Sequence, residues 1–399
     1  MTSRANTSPK FAAAMADHPD LQQAASDACR QALTQLAADA NLAIIFFSGY
    51  RPDDVTSLAK TLEKELSAAC VLGCPAESVV CNDREIEGSR AIVVWLAHLP
   101  GVTLTPMHLE FETTKDGAAI VGWPDALAES APSDATLLLL ADPFSFPADA
   151  LLAQLQRDWP GIPVMGGMAS GARGPDENRL IFGAKAVESG AVGVLIRGPI
   201  RVRSVVSQGC RPIGRPFVVT KAKENVLLEL GGLPALAQLQ IMYQELTPDE
   251  QELAQQGLHV GQVINEYQEQ FGRGDFLVRN VQGVDRNSGA VAIGDYARVG
   301  QTIQFHVRDA ATADEDLNLL LSAARQTAGG ACAGALVFTC NGRGTRLFDE
   351  ANHDADAISR SWPGLPVAGF FAQGEIGPVG GKNFVHGFTA SIALFEAAD

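Results

Sequence analysis

Near the C-terminus the sequence sets a thiol, a guanidinium, an aromatic ring and a carboxylate close together, as Cys340, Arg343, Phe371 and Glu375. Gln373 lies between the last two, and His386 follows shortly after. An arginine holds a carboxylate through paired N–H groups, and a glutamate can hold an amine. The set therefore suits a zwitterion, with Arg343 for its carboxylate and Glu375 for its amine. Arg343 and Glu375 can equally well neutralise each other in a structural ion pair. A different chemistry takes Cys340 as a nucleophile, with His386 or Glu375 as its base. Against it stands the common behaviour of a cysteine that ends an apolar strand, which is to be a buried small hydrophobe.

These residues occupy one of three similar stretches. Trp159–Pro175 and Trp362–Pro378 align without a gap, and ten of the 17 positions are identical, beginning with Trp-Pro-Gly and ending with Gly-Pro. An earlier stretch keeps only Val71, Gly73 and Ala76 in register and is a weaker copy. Each copy opens on an apolar run, at residues 42–47, 136–141 and 335–339, of the kind that forms a strand buried on both faces. Helices are expected next: one through Leu66 capped by Asp53, one from Pro147 to Trp159, and one near Asp349–Ser359. Second strands follow at residues 70–72, 162–165 and 365–368, leading to Gly73, Gly166 and Gly369.

This order places Ser48, Asp142 and Cys340 at the ends of the three first strands, where α/β proteins usually bind ligands. The three glycines are expected in loops beside them, where bare backbone can approach a ligand. The candidate binding residues are thus Cys340, Arg343, Phe371, Gln373, Glu375, Ser48, Asp142, Gly166 and Gly369. Copy three draws attention because it has Cys340, Arg343, Phe371, Gln373 and Glu375 where copy two has Asp142, Ser145, Met168, Ser170 and Ala172.

The rest of the chain reads differently. Residues 1–18 look like a frayed tail, and Asp20–Ala38 an amphipathic helix. Between copies two and three, strands are expected at Val202–Val206 and Phe217–Val219 with a turn-rich link at Gly209–Gly214. A helical stretch at Leu236–Ala254 breaks at Thr247-Pro248, and a hairpin turns at Asp285–Gly289. A strand at Val299–Val307 and a helix at Asp314–Ala328 complete this stretch. The expected fold is α/β, with internally repeated strand–helix–strand units forming mixed sheets with flanking helices in two closely packed domains. The expected divisions are 1–38 as tail and helix, 39–232 and 233–399.

Composition narrows the partners. A net charge of −16 and a pI near 4.9 repel nucleic acid and anionic lipid. The seven cysteines include no C-x-x-C pair, and the sequence shows no metal-ligand spacing, so neither metal nor cofactor is expected. Free cysteines fit a reducing compartment. The N-terminus lacks the apolar core of a secretory signal, and the longest apolar runs fall far short of the ~20 residues of a membrane helix. A soluble, cytoplasmic protein is expected. Arg273-Gly274-Asp275 reads as a turn. Gly166–Gly171 has neither a P-loop ending nor dinucleotide spacing.

Several segments resemble a known family. Phe338–Arg343, the run Pro366–Pro378 with its Gly-Glu-Ile-Gly-Pro, and His386–Thr389 resemble the FIST C domain. Phe11–Met15, the strand ending Phe46-Phe47-Ser48, Pro163–Gly167 and Ser207–Gly214 resemble the FIST N domain. The resemblance makes residues 39–232 FIST N-like and residues 233–399 FIST C-like. It implies an intracellular sensory or signal-transduction module that binds small ligands, amino acids among them. About 40 residues precede the first strand, too few for the F-box that eukaryotic relatives add, and no output domain is visible in the sequence. Such a module would act through a protein partner.

Overall fold

The three apolar runs are central strands of three sheets, in a computed structural model that describes residues 8–115, 117–127, 134–268, 270–327 and 331–397. The chain divides into two compact units. The first is Met1–Val206, Asn318–Val385 and Thr389–Asp399; the second is Ser207–Leu317 with His386–Phe388.

Copy one runs β1 (Lys10–Ala16), α1 (Leu21–Leu36), β2 (Leu42–Ser48), α2 (Val55–Leu66), β3 (Cys70–Ala76), the hairpin β4 (Val79–Cys81) and β5 (Arg84–Ile86), then β6 (Ala91–His98). Copy two runs β7 (Thr103–Thr114), β8 (Gly117–Val121), β9 (Ala135–Ala141), α3 (Ala148–Asp158), β10 (Val164–Met168), the hairpin β11 (Leu180–Phe182) and β12 (Lys185–Val187), then β13 (Ala191–Arg197). β14 (Ile200–Gln208) leads out of it.

The second unit is a ring of antiparallel strands. β15 (Cys210–Lys223), β16 (Val226–Leu230) and the short β17 (Leu233–Pro234) precede α4 (Ala235–Glu245) and α5 (Pro248–Gln256). β18 (Leu258–Val263), β19 (Phe276–Asp285), β20 (Ala290–Ile293) and β21 (Thr302–Arg308) follow. β15 pairs with both β21 and β16, which closes the order 15-21-18-19-20-16 into a barrel. The expected link at Gly209–Gly214 is instead largely part of β15. Gly214, at φ +58°, begins an irregularity between Ile213 and Phe217, which gives the segment its turn-like composition. Thr247 caps α5 with a reciprocal Glu250 bond, as its position before Pro248 predicts.

α6 (Ala310–Gln326) leads to copy three, which runs β22 (Cys332–Cys340), α7 (His353–Ser361), β23 (Val367–Ala372), the hairpin β24 (Glu375–Val379) and β25 (Lys382–His386), then β26 (Thr389–Ala397). In every copy the first strand is parallel to the second and antiparallel to the last. Copy one, weak in sequence, is complete in topology.

The hairpins are exchanged in a ring. β4–β5 of copy one extends the sheet of copy three beside β23, and β24–β25 of copy three extends the sheet of copy two beside β10. β11–β12 of copy two extends the sheet of copy one beside β3. The inner faces of all three sheets share one core, where Phe46, Phe338 and Phe370 touch ring to ring beside Leu138, Leu140 and Met165. Along β2 the alternate residues Ala43, Ile45 and Phe47 face outward under α1 and α2, so both faces are buried and the run has no polar residue before Ser48.

Four further expectations need correction. The supposed tail contains β1, which pairs with β6 along its whole length; its alanine-rich composition conceals a strand. Asp53 does not cap a helix: Pro52–Asp54 forms a 3-10 turn and α2 begins at Val55 without a side-chain cap. The helix of copy three begins later than expected, at His353. Gly73, Gly166 and Gly369 lie inside β3, β10 and β23, not in loops, opposite Ile181, Ile376 and Val80 of the incoming hairpins. A Cβ there would stand 2.6, 1.8 and 2.0 Å from the carbonyl oxygens of Ile45, Leu139 and Val337. The close approach they permit is strand to strand. No helix among the described residues is long and apolar enough to cross a membrane.

Candidate functional site

The second strands end in three turns, Ala76-Glu77-Ser78, Ala169-Ser170-Gly171 and Ala372-Gln373-Gly374, which bond to one another in sequence around a ring. Ser170 N–H donates to Pro75 O, and Gln373 N–H donates to Met168 O. The third equivalent bond is bridged: Glu77 N–H donates to Ser170 Oγ, which donates to Phe371 O. In the opposite sense, Met168 N–H donates to Gly374 O and Phe371 N–H to Ser78 O. The remaining position is Pro75, which has no N–H to give. These turns fix the strand ends of all three copies.

The strand ends differ in how far their polar groups are satisfied. Ser48 is buried and donates to Ser89 O at 2.7 Å. Asp142 is buried and accepts from Asn178 Nδ2 at 2.7 Å and from Ser145 Oγ at 2.5 Å. Both are occupied internally, although Asn178 Oδ1 has no partner among the described residues.

Copy three is different. After Cys340 the chain turns tightly, with Arg343 N–H donating to Cys340 O and Gly342 N–H pointing at Cys340 Sγ at 3.4 Å. Gly344, at φ +59°, takes a left-handed conformation, and a Cβ there would stand 2.7 Å from the buried Phe371 ring and from the Glu87 carboxylate. This turn directs Arg343 inward, where it is 1% exposed. Its Nε and Nη2 each donate to Asp354 at 2.7 Å, a bidentate pair. Asp354 also accepts from Thr339 Oγ1 and meets His353 Nδ1 at 2.9 Å. Burial alone would raise the Asp354 pKa, but Arg343 and these bonds hold it well below the usual carboxylate range.

The N-terminus of α7 is closed by Glu85, from the hairpin of copy one. Its Oε1 accepts from Asp354 N–H and Ala355 N–H. Burial, with the Asp354 charge second, pushes the Glu85 pKa up to about 7. Glu375 is fully buried and accepts from Thr389 N–H at 3.0 Å and Thr389 Oγ1 at 2.8 Å. Desolvation raises it to about 8 in spite of those bonds, the Arg343 charge and the Cys340 thiol, which lies within hydrogen-bonding reach.

Four buried atoms around this turn have no partner of hydrogen-bond geometry among the described residues: Glu85 Oε2, Asn341 Oδ1, Arg343 Nη1 and Glu375 Oε1. Native structures leave few such atoms, and each calls for an explanation such as strain, a catalytic or redox role, or a bound water or ion.

The expected residues therefore separate. Cys340, Arg343, Phe371 and Glu375 come together; Gln373 is exposed, with its backbone on the ring of turns. Ser48 and Asp142 end the equivalent strands of the other copies. His386, at the end of β25, groups with the second compact unit. The expected alternative of an Arg343–Glu375 ion pair is replaced by Arg343–Asp354. Asp354 and Glu85 were not foreseen: Asp354 starts a helix expected to start earlier, and Glu85 comes from a hairpin lent by another copy.

The structure is thus a repeated α/β scaffold with buried polar atoms left unpartnered, among the described residues, at the strand end of one copy. The chain belongs to the FIST family: the FIST N domain matches residues 41–233 and the FIST C domain residues 238–378. An uncharacterised protein of Mycobacterium tuberculosis is 44% identical over 379 residues, covering 94% of this chain and 97% of the relative. One from Mycobacterium bovis is 43% identical over 379 residues, covering 94% and 96%. A solved structure of a cyanuric acid hydrolase aligns over 98% of this chain and 100% of its own length at 9% identity and a TM-score of 0.31, an overlap that carries no argument here.

Proposed function

We propose that this protein is a cytoplasmic sensory or signal-transduction module that binds a small polar ligand beside Cys340, and that an amino acid is the class that fits. The observation that carries this reading is the group of partnerless buried atoms on Asn341, Arg343 and Glu375. Arg343 Nη1 offers N–H to a ligand carboxylate or carbonyl, Asn341 Oδ1 accepts from an amine or amide, and Glu375 Oε1 donates when protonated and accepts when ionised. Arg343 is already neutralised by Asp354, and Glu375 is largely protonated near neutrality, so the site has little net charge. A zwitterion or neutral amide suits it better than a simple anion. The signal would pass to a protein partner.

A ligand that binds only the folded state raises its melting temperature. Thermal-shift measurements over amino acids, their amides and small carboxylates should give a positive shift for at least one class. Asn341→Ala, at a half-buried position, should weaken that ligand at least tenfold. A flat response across the panel would overturn the reading. The contact between Cys340 and Glu375 favours a second reading, an enzyme with Cys340 as thiol nucleophile towards a small polar substrate. It requires turnover that Cys340→Ser abolishes.

A further inference from the structure

Cys332 and Cys340 are the two half-buried cysteines; the other five are buried. They stand at opposite ends of the nine-residue β22, roughly 26 Å apart at strand rise, so they cannot form a disulfide with each other. Their surroundings differ in kind. Cys332 lies near the Glu396 carboxylate, and burial together with that charge pushes its thiol up to about 12. Cys340 has the Gly342 N–H directed at its sulfur, and the guanidinium charges of Arg343 and Arg346 act on it. Arg343 is fully buried and paired bidentately with Asp354, and its Nη1 has no partner of hydrogen-bond geometry among the described residues. Glu375, equally buried, has its carboxyl within reach of the thiol and one oxygen unpartnered.

We infer that Cys340 is an oxidation site, a thiol that hydrogen peroxide converts to a sulfenic acid with Glu375 as proton relay and Arg343 as the donor to the peroxide. A sulfur lone pair attacks one peroxide oxygen, the S–O bond forms and the O–O bond breaks. The thiol proton passes to the Glu375 carboxyl, which returns a proton to the departing hydroxide. The balance is Cys–SH plus H2O2 giving Cys–SOH plus H2O, sulfur being oxidised and peroxide oxygen reduced. Thiolate character and a nearby positive charge are what make one cysteine react before others.

The test treats the full chain with sub-millimolar hydrogen peroxide in the presence of dimedone, which traps sulfenic acids, and follows peptides by mass spectrometry. Cys340 should be labelled at least tenfold faster than Cys332, an internal control in the same molecule. Glu375→Gln, which keeps the shape of the side chain but cannot relay the proton, should slow Cys340 labelling at least fivefold. Equal rates at the two cysteines overturn the inference, whether or not the variant folds. An unchanged rate in a folded Glu375→Gln protein also overturns it. Ligand-induced thermal shifts on Cys340→Ser read the binding proposal separately, so either can fail alone.

Discussion

Glu375 shows how one buried carboxyl reports on its surroundings. Its ordinary pKa near 4.5 is raised to about 8, chiefly by desolvation. Between these values the folded chain holds a proton that the unfolded chain has released. The stabilisation linked to this proton is therefore fully present below about pH 4.5 and is lost as pH rises through about 8. Glutamine carries no titratable proton. The melting temperature of the wild type should thus fall by several degrees relative to Glu375→Gln between pH 5 and pH 8, and then run parallel to it. A difference that does not change with pH would contradict the assignment. Residue types disclosed this site in the sequence; residue partners did not. Cys340, Arg343 and Glu375 were legible because copy two has different residues at those positions. Asp354, eleven residues after Arg343, does not share a helix with it, since the helix begins only at His353, and the turn at Gly344 brings the two together.

At the scale of elements, the three strand glycines carry the clearest difference between pattern and structure. Their recurrence was readable, but their place was not, because a glycine after an apolar run reads as a turn. What requires them is a carbonyl of the neighbouring strand under each, with a β-branched residue of a borrowed hairpin opposite. Gly369→Ala should overpack β23 against Val337 and destabilise the protein by about 1–3 kcal/mol or more. Gly283→Ala, in β19, meets nothing within 4 Å and should change stability by less than about 0.5 kcal/mol. Urea unfolding of the two variants makes the comparison, and equal effects would remove the packing explanation. Long apolar strands such as β2 and β9 were legible for the opposite reason: burial on both faces leaves no polar residue to interrupt the run. β1, of the same length but rich in alanine, lacked that signal.

For the whole molecule, the ring of exchanged hairpins means that no sheet of the first unit is complete without another copy. The chain's four tryptophans include one in each copy, Trp95, Trp159 and Trp362. Three variants, each retaining one of these tryptophans, should give the same denaturant midpoint once corrected for each variant's overall stability by circular dichroism. A copy that melts apart from the others would break the coupling that the topology implies. The same ring has a consequence for descent. A chain with a single repeat, lending its hairpin forward through the same rotation, would complete its pairings in a closed trimer of identical subunits. Joining three such subunits end to end would keep every pairing while ending the obligation of the copies to be identical. One was then free to acquire a thiol and a buried arginine at a place where its siblings kept self-satisfied polar residues.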